Sequence, residues 1–88
     1  MKIVKTAAAG TLESSDVYVE VRPGNAVSVE VESAVAAQFG QAITQTTRHM
    51  LDEFGVEGAH VFLKDRGALD CVIRARVETA LRRAAREG

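Results

Sequence analysis

Few side chains in this sequence of 88 residues could carry chemistry, and the most promising ones lie together. Ser14 and Ser15 are adjacent hydroxyls flanked by two carboxylates, Glu13 and Asp16, within Gly10-Thr11-Leu12-Glu13-Ser14-Ser15-Asp16. Ser and Asp side chains bond to nearby backbone and favour turns, so residues 13–16 read as an exposed acidic turn. A modifying enzyme can reach a serine there, and a phosphodiester can be attached without disturbing a core. On spacing alone the two hydroxyls are interchangeable, and both also make sense as plain turn residues.

The remaining candidates are isolated. His49 and His60 have neither His-x-x-x-His spacing nor a Cys-x-x-Cys pair nearby, so they read as surface or structural residues rather than metal ligands. Cys71 is the single cysteine, which excludes an internal disulfide and fits a reducing compartment. It falls in the first turn of a helix, where a thiol pKa can drop, yet a small half-buried apolar filler is the simpler reading. There is no Gly-x-Gly-x-x-Gly, no Walker loop and nothing that places Ser, His and Asp together.

Charge narrows the partners. The net charge is −1, but residues 1–57 carry 4 basic and 8 acidic side chains, and residues 58–88 carry 7 and 4. Arg74, Arg76, Arg82, Arg83 and Arg86 make the last helix basic. That is either a solvated face or a docking surface for an acidic partner or a phosphate-bearing group. A nucleic-acid surface would add lysines, stacking aromatics and a strong positive charge, so no nucleic-acid partner is expected. The first residues lack the apolar run of a signal peptide, and no stretch approaches ~18 consecutive apolar residues. A cytoplasmic protein without membrane contact is the expectation.

These residues need elements to position them. One domain of this size has a thin core and no room for a deep private cleft, which favours a carrier, adaptor or subunit over an enzyme. Aromatics are scarce, with three Phe, one Tyr and no Trp, so Val, Ala, Leu and Ile must build the core. Ile3-Val4 and Ala7-Ala8-Ala9 read as a first strand or an extended arm. Residues 16–22 and 26–32 alternate strictly, with Val17, Val19, Val21, Val27, Val29 and Val31 on the inner face. Pro23-Gly24-Asn25 between them predicts a turn, and the two strands read as an antiparallel hairpin. Ser33 is a good N-cap for an amphipathic helix of about five turns. Val35, Phe39, Ile43, Met50 and Phe54 form its apolar stripe, and Thr46 or Thr47 fills the gap. Gly40 within it is either tolerated or a point of close packing, and Gly55 is a natural C-cap. Residues 59–64 form a further strand. A second helix follows, with Leu69, Val72, Ile73, Val77, Ala80, Leu81 and Ala84 on its inner face and end charges that complement the helix dipole. The expected fold is an α+β two-layer sandwich, β-β-α-β-α with a candidate extra N-terminal strand. Its sheet is mostly antiparallel, with both helices on one face.

Two blocks resemble a known family. Residues 10–16 resemble the N-terminal motif of the acyl carrier protein (gamma) subunit of citrate lyase. Asp65-Arg66-Gly67-Ala68-Leu69-Asp70-Cys71-Val72-Ile73-Arg74-Ala75-Arg76 is similar to its C-terminal signature, and Ser33 with Val35 and Gln38-Phe39-Gly40 match its middle. The resemblance implies a single carrier domain over residues 1–88 that catalyses nothing itself. It implies a covalent 2'-(5''-triphosphoribosyl)-3'-dephospho-coenzyme A joined by a phosphodiester to Ser14, with Ser15 at a position where the family also uses glycine. It further implies citrate lyase alpha and beta subunits that exchange and cleave acetyl and citryl thioesters on the arm, a prosthetic-group transferase and an acetate:thiol ligase. The turn holding Ser14 is then expected to be mobile, with Glu13 and Asp16 positioning the modifying enzyme. The carrier subunit of malonate decarboxylase, which uses the same group, is the nearest alternative. An RNA-binding or adaptor domain using the arginine helix is a more distant one.

Overall fold

The computed structural model describes residues 1–33 and 37–86. In chain order the elements are β1 (Ala7–Gly10), β2 (Val17–Pro23), β3 (Val27–Ser33), α1 (Ala37–Glu53), β4 (Ala59–Asp65) and α2 (Asp70–Ala85). The alanine run is therefore a strand rather than an arm. The start of α1, placed at Ser33 from the sequence, and Val35 of its stripe involve residues 34–36, which lie outside the described residues. Ser33 itself closes β3.

The four strands form one sheet in the order β1-β2-β4-β3. β1 pairs with β2 and β2 with β4, both antiparallel, and β3 pairs with β4 in parallel. The sheet is thus mostly antiparallel and all six elements match the expected architecture, but the β2–β3 hairpin does not form. β4 occupies the slot between those strands, and the 24–26 connection steps over its entrance. There Ala59 N–H donates to the Ala26 carbonyl at 3.2 Å. A Cβ at Gly58 would lie 2.2 Å from the Gly24 carbonyl oxygen, so only glycine lets the two backbones cross this closely. The choice of neighbour follows from burial. β4 buries Ala59, Val61, Leu63 and Asp65 and half-buries Phe62 and Lys64 on the other face, as suits a central strand. β3 exposes Glu30 and Glu32 and only half-buries its valines, as suits an edge. The helix linking β3 to β4 also permits parallel pairing, which a short turn cannot supply.

Both helices cover one face. Val17, Val19 and Val21 of β2, with Val61 and Leu63 of β4, meet Ile73, Val77, Ala80, Leu81 and Ala84 of α2 and Ile43, Met50 and Leu51 of α1. Burying a side chain such as Leu63 or Leu81 stabilises the fold by roughly 1.5–3 kcal/mol. Thr47, fully buried, donates its hydroxyl to the Ile43 carbonyl at 2.8 Å, which makes a polar residue acceptable in the stripe. Phe39 departs from its expected inward position and is 52% exposed. An added Cβ at Gly40 would meet nothing within 4 Å, so that glycine is tolerated rather than required by packing. The other face of the sheet is open and carries Tyr18, Glu20, Arg22, Ser28, Glu30, His60, Phe62 and Lys64.

Candidate functional site

The loop from β1 to β2 is built to hold one shape. Gly10 has φ +88°, and a Cβ there would fall 1.8 Å from the Val17 carbonyl oxygen, so no other residue fits. Thr11 Oγ1 donates to Asp16 Oδ2 at 2.7 Å and accepts from the Glu13 N–H at 3.2 Å. The Asp16 N–H donates to the Glu13 carbonyl at 3.1 Å, closing a four-residue turn with Ser14 and Ser15 at its corners. Ser15 has φ 66°, the only positive φ outside glycine among the described residues. A positive φ at the second corner alone is the type II pattern, where glycine or asparagine is preferred. Two bonds then tie the turn to the end of β4: Ser15 N–H to the Arg66 carbonyl and Arg66 N–H to the Asp16 carbonyl, both at 2.9 Å.

Asp16 is the anchor. Its side chain is 15% exposed. Oδ1 accepts from the Val17 N–H at 2.7 Å, and Arg76 of α2 grips both oxygens, Nε to Oδ1 at 3.2 Å and Nη2 to Oδ2 at 3.0 Å. Arg76 above all, then the Thr11 hydroxyl and the Val17 N–H, lower the Asp16 pKa from 3.8 to about 2. A carboxylate so engaged has little left to offer a modifying enzyme. The sequence-based role for Asp16 as a recognition residue therefore gives way to an internal one, whereas Glu13 is exposed. The same bonds argue against the expected mobility of the turn, because its backbone is held from both β4 and α2.

The two hydroxyls are no longer equivalent. Ser14 sits at the first corner with an ordinary backbone, is exposed, and makes no hydrogen bond among the described residues. Ser15 occupies the left-handed corner that the turn requires. An exposed hydroxyl on a fixed support can be esterified without loss of any internal contact, so the site fits a bulky phosphodiester.

The other candidates remain apart from this turn. His49 is exposed and pairs with Glu53 at 3.1 Å, and His60 on the open sheet face meets Ser28 Oγ. Cys71 is exposed rather than half-buried, so it fills no gap in the core. No cluster of three or more His, Cys, Asp or Glu could hold a metal ion among the described residues. No helix among them is long and apolar enough to cross a membrane. The basic face of α2 is largely spent internally. Arg74 binds Asp70 at 2.8 Å, Arg82 binds Glu78 at 3.0 Å and lies over the Phe54 ring, and Arg83 donates to the Ala8 carbonyl at 2.8 Å. With Arg76 on Asp16, four of the five guanidinium groups have partners among the described residues, which weakens the docking reading of this face.

Two features beside the turn escaped sequence reasoning. Arg66 is exposed, has no ion pair among the described residues, and is locked by its backbone to Ser15 and Asp16. Between α1 and residues 65–70 lies a cleft of about 410 Å³ whose rim includes Phe39 and Leu69, the latter 70% exposed. Buried Asp65 shapes its floor, accepting from the Ala68 N–H at 2.9 Å and the Ser33 hydroxyl at 3.1 Å. Only the motif around Arg66 could have flagged the first. The second needs the tertiary structure, because Phe39 looks like a core residue in the helical pattern.

Comparison with known proteins locates this architecture. The family described as "Malonate decarboxylase delta subunit (MdcD)" matches residues 4–84. A citrate lyase acyl carrier protein from Haemophilus influenzae (strain PittEE) is 53% identical over 87 residues, covering 99% of this chain and 92% of the relative. Its counterpart from Escherichia fergusonii is 52% identical over 89 residues, with the same coverage. That from Treponema denticola is 48% identical over 84 residues, covering 96% and 97%. Among solved structures, a chain of a Pseudomonas malonate decarboxylase hetero-tetramer in complex with malonate superposes with a TM-score of 0.81. It shares 21% identity over 94% of this chain and 87% of its own length, so this likeness is one of fold.

Proposed function

The chain belongs to the family of citrate lyase acyl carrier proteins, and on that premise we propose that Ser14 Oγ is the attachment point of its prosthetic group. The group is 2'-(5''-triphosphoribosyl)-3'-dephospho-coenzyme A in its free form, and its bond to the protein is a phosphodiester. The observation that carries the assignment is the Ser14 hydroxyl itself, exposed and unbonded on a turn fixed from two sides. When bound, the group supplies a thiol able to carry acetyl and citryl thioesters.

This chain's residues hold and present. Gly10 and Thr11 turn the backbone, Asp16 and Arg76 lock it to α2, and Ser15 takes the left-handed corner so that Ser14 faces outward. Attachment removes one proton from Ser14 Oγ and forms one phosphorus–oxygen bond as pyrophosphate leaves, a step for the transferase. The carrier would then present the thioester end to the alpha subunit, for exchange of acetyl for citrate, and to the beta subunit, for release of oxaloacetate. Tethering raises the local concentration of thioester at both sites. An acetate:thiol ligase would acetylate the thiol at the outset.

The test is intact-mass and peptide mass spectrometry of protein co-produced with its transferase. One coenzyme A-like adduct is expected on the peptide containing Ser14, abolished by Ser14→Ala and retained by Ser15→Ala. An adduct on Ser15, or an unmodified chain in an active complex, overturns the assignment. A malonate decarboxylase carrier is the second reading, favoured by the family description and the structural neighbour. Identities of 48–53% to citrate lyase carriers weigh against it. Loaded carrier that restores oxaloacetate release to carrier-depleted citrate lyase, and fails with carrier-depleted malonate decarboxylase, decides between them.

A further inference from the structure

Among the described residues, nothing fills the cleft beside the turn. It lies between the start of α1 and the 65–70 segment, and Phe39, Ala42, Ile43, Ala68, Leu69 and Ile73 give it apolar walls. Its volume, about 410 Å³, falls within the usual range for small-molecule sites, roughly 300–1,000 Å³. Phe39 and Leu69 stand half or more exposed on its rim, although a monomeric domain gains nothing by leaving two large apolar side chains in water. A second hollow among the described residues, lined by Met1, Lys2, Asn25 and Glu57 among others, is polar in lining and sits at the opposite end of the sheet from Ser14.

Three observations connect the cleft to the attachment point. The 65–70 segment that forms one wall also holds the serine turn, through the Ser15–Arg66 and Arg66–Asp16 backbone bonds. Arg66, whose backbone joins the turn to the segment that walls the cleft, is exposed and has no carboxylate partner among the described residues, whereas Arg74, Arg76 and Arg82 of the neighbouring helix are all paired. An unpaired arginine beside a phosphodiester is a charge-complementary arrangement. Finally, the chemistry of the group sets what can reach this far. Starting from the serine oxygen, the order is phosphate, the attaching ribose, and the adenosine joined to it through its 2' oxygen. The pyrophosphate and pantetheine lie beyond. The first apolar, flat component after the serine is therefore the adenine ring, two sugars away. The thioester is at the far end and must stay free to visit other subunits.

We infer that the cleft seats the adenine of the prosthetic group, stacked against Phe39 and covered by Leu69, with Arg66 binding the phosphodiester at Ser14. Aromatic faces hold bases by stacking irrespective of sequence, and apolar walls with few polar groups suit the ring. Asp70 at the rim offers an acceptor for the exocyclic amine, although its carboxylate already serves Arg74 and Thr46. The arm thereby acquires a second, non-covalent foothold. Its adenosine end is fixed to the carrier and only the pyrophosphate–pantetheine portion swings. This inference rests on Ser14 being the attachment point.

The experiment is NMR of the full-length carrier loaded by its transferase, after mass spectrometry has located the adduct. Nuclear Overhauser contacts from adenine H2 and H8 to the Phe39 ring and Leu69 methyls are expected, with both adenine protons shifted upfield from their positions in free dephospho-coenzyme A. Phe39→Ser should abolish the contacts and return H2 and H8 to the free positions. Because Phe39 is exposed, the variant should keep the fold, which its amide spectrum verifies. Arg66→Gln should shift the phosphodiester 31P resonance and weaken the adenine contacts. An adduct found away from Ser14 overturns the attachment assignment. An adduct on Ser14 whose adenine protons match free nucleotide, or contacts to Phe39 from the pantetheine methyls instead, overturns the adenine site alone.

Discussion

Asp16→Asn separates two accounts of the acidic turn. In the structure Asp16 works inward, holding Thr11, the Val17 N–H and Arg76. Its carboxyl is held at about 2 against an ordinary 3.8. At about 1.4 kcal/mol per unit the unscreened value would exceed 2 kcal/mol, but Arg76 is 41% exposed and solvent screens the pair. We expect Asp16→Asn to cost about 1–2 kcal/mol near pH 7, with a fall in Tm of roughly 4–8 °C per kcal/mol for a domain of this size. The folded pKa is the lower one, so the unfolded chain takes up the proton first. The stabilisation is complete above pH ~4 and is lost as pH falls through about 2, where variant and wild type converge. The functional arm of the test is the rate of prosthetic-group transfer. If Asp16 acts through Arg76, then Arg76→Met slows transfer as much as Asp16→Asn does, and the double variant is no slower than either alone. Urea denaturation between pH 2 and 7 and a mass-spectrometric transfer assay supply both readouts. Equal stability of Asp16→Asn and wild type at pH 7 would refute the anchoring argument. So would an Arg76→Met protein that is loaded at the wild-type rate.

Other outcomes follow from the same geometry. Ser15→Gly relieves the left-handed corner and should raise stability by up to about 1 kcal/mol in thermal melts, with Ser14 still loaded; Ser15→Val should lower it by a similar amount or more. Gly10→Ala drives a Cβ into the Val17 carbonyl at a strained φ, and we expect a loss above about 2 kcal/mol in urea titrations together with slow loading. Leu63→Ala, at the centre of the sheet, should cost about 2–5 kcal/mol by denaturant unfolding. Cys71, being exposed, should react with iodoacetamide in the folded protein without change in Tm.

Strand and helix positions were legible because alternation and helical spacing report which face of an element is buried. The structure moves β2, β3 and β4 by a residue at most from the segments read in the sequence. Neighbour relations were not legible, because Val27, Val29 and Val31 alternate identically whether they sit beside β2 or beyond β4. The clue lay in Gly58, whose missing Cβ matters only once the crossing backbone is in place. Phe39 was misread for a related reason: periodicity marks an apolar stripe but cannot say where the sheet beneath it ends. At the turn, composition found the acidic pair and the two serines. It could not find that Asp16 is spoken for by a side chain 60 residues away, since ion pairing leaves no local pattern. In the sequence, only the resemblance to a family set Ser14 apart from Ser15, by implying that glycine also occurs at the second position. The positive φ of Ser15 is one that glycine would suit.

The long reach of that ion pair has a bearing on biosynthesis. The serine turn is encoded early, yet it takes its shape from Arg66 and Arg76, and the sheet beneath it closes only when β4 enters between β2 and β3. A nascent chain that has emerged only as far as α1 has no β4 to pair with β2 and lacks Arg66 and Arg76, which hold the turn. A transferase that reads the formed turn would pass over such fragments, along with truncated or misfolded copies. On the proposed function, the prosthetic group would then go only to carriers whose C-terminal helix has docked.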